Sequence, residues 1–174
     1  MGGINPPPTR PIKPPVDHFM KSWTRGLWQI GVPFFSAHTR LEDACLLELN
    51  SGLPGTTEVN DARSFVTQLI SNANALVTLT VANTMLLNVD GTWHKHFYLV
   101  KQLPLLTNLV SASQQLNAAL NAPSVNSAVT GLTLQDSMTY TESNYLVRVQ
   151  SMNVLSIYSD ILANQVEIVD LLNR

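Results

Sequence analysis

Apolar residues recur every three or four positions along most of this chain, the period of helices that bury one face. Over residues 17–30 that period places Phe19, Trp23, Leu27 and Ile30 on one side, with Asp17 as a plausible N-cap and Lys21 and Arg25 lining another face. Gly31-Val32-Pro33 predicts a break. A second helix over 38–49 carries Leu41, Cys45 and Leu49 in a four-residue stripe, and the turn-forming segment 50–55 ends it. A third begins at Asn60 or Asp61 and carries Phe65, Leu69, Ala73 and Leu76 along one face.

The continuation of that helix is where periodicity and propensity disagree. Val77, Leu79 and Val81 alternate with threonines in the manner of a strand, whereas length and the preceding pattern favour helix to about residue 88. Asp90-Gly91 is a turn signal, and residues 92–100, rich in aromatic and branched side chains, predict a strand. A hairpin over 85–100 is the variant of the same reading. Residues 105–121, framed by Pro104 and Pro123, predict a further helix with Leu105, Leu109, Ala112, Leu116 and Leu120 on one face. The last helix opens at Asp136 or Thr141 and runs to about 172. Its apolar residues fall nearly all round, which predicts a helix central to a bundle or covered by another chain.

Residues 1–16 lack this period and hold six of the ten prolines. Proline fixes φ and removes the amide donor, so the segment reads as an extended arm. The expected architecture is mainly α: one domain over 17–174, a bundle of four to five helices, with a Pro-rich N-terminal arm and at most one short strand or hairpin.

Composition changes what such a bundle is expected to do. Only 13% of the residues are Asp, Glu, Lys or Arg, against about 25% in an average soluble domain. Ser, Thr, Asn and Gln supply much of the polarity while 45% of the chain is apolar, which fits a packed core beneath a surface covered in large part by other chains. Cys45 is the single cysteine, so neither an intrachain disulfide nor a cysteine-based zinc site is expected. The charge is uneven. Residues 1–41 carry a net +4 and residues 42–174 a net −6, an asymmetry that points the basic end toward something negative, either nucleic acid or the acidic body of a neighbouring copy.

Catalytic chemistry is hard to find. His94 and His96 would share one side of a strand and supply two metal ligands, but no third ligand is evident, so no metal site is expected. Neither a nucleophile elbow nor a phosphate-cradling loop occurs, and no catalytic residue or cofactor is assigned. The chain reads as a non-enzyme.

In layout, an arm followed by a helical bundle with a neutral-polar surface, the chain resembles the helical-bundle coat proteins of rod-shaped and filamentous viruses. The resemblance implies a structural subunit located in a virion, packing against copies of itself and contacting genomic nucleic acid through basic residues, here Arg10, Lys13, Lys21, Arg25 and Arg40. Phe19, Trp23, Leu27 and Trp28 are the candidate interface residues. The aromatic stripe of 17–30 has three readings: packing on its own core, docking on a neighbouring copy, or lying on a membrane surface. The last of these gives the alternative function, an accessory subunit of a membrane-associated complex.

Overall fold

A computed structural model describes residues 14–51, 55–121 and 142–172. The chain forms α1 (Pro14–Ser51), α2 (Thr56–Ala82), α3 (Thr84–Asp90) and α4 (Thr92–Lys95), then a π-helical segment (His96–Gln102) continuous with α5 (Leu103–Leu120), and finally α6 (Glu142–Leu172).

Side-chain bonds between helices fix the topology. Arg40 of α1 meets Asp61 of α2 while Trp23 meets Thr80, so residue numbers fall along one helix as they rise along the other. These two run antiparallel. Arg63 Nε donates to the Leu120 carbonyl at 2.8 Å, joining the start of α2 to the end of α5. Gln102 Nε2, at the end of the π-helical segment that leads into α5, donates to the Ile161 carbonyl at 3.2 Å in the later part of α6. Tyr158 Oη and Gln165 Nε2 return from α6 to Leu27 O and Thr24 Oγ1 on α1. The four long helices thus form an up-down-up-down ring, with α3 and α4 closing one end.

The core runs down the centre of this ring. Trp23, Ile30, Leu69, Leu76, Leu109 and Ile161 are all but fully buried. Near the end closed by α3 and α4, Tyr98 is the hub of an aromatic cluster, with Phe19 and Phe97 each at 4.9 Å and Trp23 at 5.3 Å, all edge-on. Such pairs add about 0.5–1.5 kcal/mol each beyond burial of area.

Four expectations change. The break at Gly31-Val32-Pro33 is absent, and α1 passes through it without interruption. Proline removes the donor that would reach the Gln29 carbonyl, and Asn72 Nδ2 of α2 takes that place at 2.7 Å.

The strand over 92–100, and with it the hairpin over 85–100, is helical instead. Burial falls on His94, Phe97, Tyr98 and Gln102, a helical spacing that a strand's alternation does not produce. Trp93 stacks on Phe97, one turn later, with centroids 5.5 Å apart. Aromatic packing against α1 outweighs β-propensity here.

The third change is at Asn83, where α2 ends and α3 starts within a single turn residue, so the helical run to about 88 holds with one interruption. The Asp90-Gly91 turn signal marks the junction of α3 with α4, and Gly91 has φ 134°, a backbone that glycine tolerates. Last, α1 begins at Pro14 rather than at Asp17, since proline suits a helix's first turn. The remainder of the expected arm, residues 1–13, lies outside the described residues, as do 122–141.

Candidate assembly interface

The four residues expected at an interface divide sharply. Phe19, Trp23 and Leu27 lie in the chain's own core, at 2%, 0% and 3% exposure. Trp23 is tied there by its indole N–H, which donates to Thr80 Oγ1 at 3.0 Å. The apolar face that an interfacial helix would lay on a membrane is therefore already occupied by α2 and the aromatic cluster. Trp28 is different. It is 71% exposed and projects from the opposite side of α1.

Trp28 is not isolated. Val32, 69% exposed, and Phe35, 54% exposed, follow at spacings of four and three residues, and exposed Leu46 continues the line. At 100° per residue these four lie within about 60° of one another on α1. Sequence reading missed Val32 and Phe35 because the expected break at Pro33 hid the helical continuation from Trp28. The signal was present in the 28, 32, 35 spacing.

The basic candidates are also divided. Arg10 and Lys13 lie outside the described residues. Lys21 is exposed and pairs with Asp17 one turn earlier at 3.0 Å. Arg40 is held by acids: its guanidinium bonds Asp61 at 2.9 Å and Asp43 at 3.1 Å, with Glu58 at 3.9 Å. The Asp61 hydrogen bond, the largest influence, holds its pKa above the ordinary value. Arg40 thus fastens α1 to α2 and has little capacity left for a phosphate. Arg25 is exposed and makes no ion pair among the described residues.

Two other surfaces carry distinct chemistry. On α6, Met152, Leu155 and Val166 are exposed on one side while Val147, Val154, Tyr158 and Ile161 fill the core. The all-round apolar character of this helix therefore serves the fold on one face only, and α6 is one of four ring members rather than a central helix. Between α5 and α6, Asn108, Ser111, Gln115, Gln150, Asn153 and Ser156 line an open groove of neutral amides and hydroxyls.

Interior chemistry is sparse. His94 and His96, two apart on a helix rather than a strand, point to different sides, His94 buried and His96 half-buried. Among the described residues no group of three or more His, Cys, Asp or Glu side chains comes together. A small cavity between α1, α2, α5 and α6 has Phe34, His38, Leu41, Leu69 and Leu116 around the buried hydroxyl of Ser151, with space for about one water. By length and composition α2 is apolar enough to cross a membrane, and its buried side chains, Val66, Leu69, Ala73 and Leu76 among them, form one wall of the bundle core.

Comparison with protein-family models, with curated proteins and with solved structures gives no match to this chain.

Proposed function

We propose that this protein is a structural subunit of the coat-protein kind, which works by packing against copies of itself. The observation that carries this reading is the exposed stripe Trp28, Val32, Phe35 and Leu46 along α1. A scattered exposed apolar residue needs no explanation, but a stripe of large side chains at helical spacing is the form of an unpartnered helix–helix interface.

The second apolar face on α6 and the low charge content support the same reading. A subunit with two or more apolar faces, each meeting another copy, builds extended arrays rather than closed pairs.

Contact with genomic nucleic acid is part of the proposal in a narrower form. Arg40 is held by three carboxylates, which leaves Arg10 and Lys13, beyond the described residues, as the groups to meet phosphate. So few charges give a modest, salt-dependent affinity per copy that matters when many copies share one strand.

The experiment is gentle purification of the full chain, followed by negative-stain microscopy and the 260/280 nm absorbance ratio. Filaments or shells support a structural subunit, and a high ratio that falls after a salt wash supports the nucleic-acid part. Monodisperse small particles at all salt concentrations would sink the assembly reading.

A further inference from the structure

The outer face of α1 has an order of charges that the fold itself uses only in part. Read from the N-terminal end, the outer line runs Asp17, Lys21, Arg25, Trp28, Val32, Phe35, then the half-buried Glu42 and Asp43, and Leu46. Lys21, Trp28, Val32 and Phe35 lie within about 60° on the helix, flanked by Arg25 and Asp43 on one side and Glu42 on the other. Lys21 and Arg25, with the acid Asp17 beside Lys21, stand at one end, Glu42 and Asp43 at the other, and Trp28, Val32 and Phe35 between them, with Leu46 beyond the acids.

That order is close to symmetric about Val32. Lys21 and Asp43 are each eleven positions from it, and Trp28 and Phe35 stand four and three positions to either side. When the stripe is turned end for end about Val32, Trp28, Val32 and Phe35 meet one another, and Lys21 and Arg25 meet Glu42 and Asp43, while Leu46 falls opposite His18 outside the apolar centre. Self-complementarity of this kind is what a two-fold, isologous contact requires.

We infer that two copies of this chain pair through α1, antiparallel, about a two-fold axis at Val32. The inference rests on the assembly reading above and gives one of its contacts a partner and a register. Trp28 of each copy packs beside Phe35 of the other, and Lys21 of each faces Glu42 and Asp43 of the other. Within the chain Lys21, itself exposed, has only the part-exposed Asp17, and Arg25 has no acid among the described residues, so both can meet a second copy. Asp43 shares Arg40 and Glu42 approaches His38 at 3.1 Å, but both carboxylates stay part-exposed, at 45% and 35%. Burial of the aromatic and branched side chains supplies the attraction, while the charges set direction and register.

The axis makes a direct test possible, because a residue on it meets its own copy. Val32→Glu opposes glutamate to glutamate, and Val32→Lys opposes lysine to lysine. Each variant of the full chain is expected to raise the dimer dissociation constant at least tenfold in sedimentation equilibrium, and an equimolar mixture is expected to restore pairing as a mixed dimer. Position 32 is exposed on a continuous helix, so both variants should keep the circular dichroism spectrum of the unmodified chain.

A second pair covers the case in which one of these variants does not fold. Lys21→Glu with Arg25→Glu, and separately Glu42→Lys with Asp43→Lys, should each lose pairing alone and regain it when mixed. Variants that fold yet pair as tightly as the unmodified chain, or mixtures that stay monomeric, overturn the α1 pairing. If larger assemblies persist unchanged in both series, the pairing is wrong while the assembly reading survives. A monomeric unmodified chain at every concentration removes both.

Discussion

Asn72 Nδ2 donates to the carbonyl oxygen of Gln29 at 2.7 Å, four residues before Pro33, where a helical amide would ordinarily donate. A side chain on α2 thus completes the hydrogen bonding that a proline removes from α1. The consequence is a coupling between two positions 39 apart in sequence. Asn72→Ala is expected to cost about 0.5–1.5 kcal/mol, because the freed carbonyl is reachable by water. In a Pro33→Ala background the new amide takes the carbonyl, so the same substitution should cost clearly less. Urea denaturation of the four proteins in that cycle measures the coupling, and equal costs in both backgrounds would show that the Asn72 bond does not stand in for the missing amide.

Gly31 presents a similar closeness on the other side of α1. A Cβ there would lie 2.5 Å from Tyr158 Oη, which donates to the Leu27 carbonyl at 3.3 Å. Alanine normally improves a helix interior by about 0.5–1 kcal/mol over glycine. Gly31→Ala is expected instead to destabilise by about 1–3 kcal/mol through overpacking. Removing the hydroxyl with Tyr158→Phe should return most of that loss, since the ring carbon behind it is 3.5 Å away. Thermal melts of the single and double variants decide the point, and a Gly31→Ala protein as stable as the original contradicts this close contact.

The bond from Trp23 to Thr80 lies wholly inside the fold, with both residues at 0% exposure. Thr80→Val keeps the shape and leaves the indole N–H without its acceptor. The expected cost is about 1–3 kcal/mol. A loss below a few tenths in denaturant titration would mean that the indole finds another acceptor.

Tyr98 carries a hydroxyl that is buried and has no hydrogen-bond partner among the described residues. Burial pushes its pKa upward, and burial does the same to Tyr158. With the folded value raised, the stabilising contribution is complete below the ordinary tyrosine value of about 10 and is lost as pH rises from there toward the folded value. Tyr98→Phe is therefore expected to be as stable as the original at neutral pH, or up to about 1 kcal/mol more stable. It should also lose stability less steeply above about pH 10. Tyrosinate absorbance followed alongside unfolding checks both, and early titration of Tyr98 in the folded protein would contradict its burial.

Much of the bundle is legible from spacing alone. Of the predicted stripes, Phe19-Trp23-Leu27-Ile30, Leu69-Ala73-Leu76 and Leu109-Ala112-Leu116-Leu120 face the core, whereas Phe65 and Leu105, which begin two of them, are half-buried at its edge. What local patterns misjudge is what other helices supply. Pro33 reads as a stop until Asn72 donates from 39 residues away. Residues 92–100 read as a strand until Phe19 and Trp23 draw Phe97 and Tyr98 into one cluster. The interface shows the same limit. Trp23 and Trp28 are alike in composition, and only the completed ring separates the core residue from the outward one.

The most direct test of the central claim is the mass of the unmodified full chain in solution, by sedimentation equilibrium across a wide range of concentrations at low and high salt. The single-chain mass is 19.1 kDa. The account expects a mass that climbs with concentration through a dimer to larger species. A constant 19.1 kDa under every condition would contradict it.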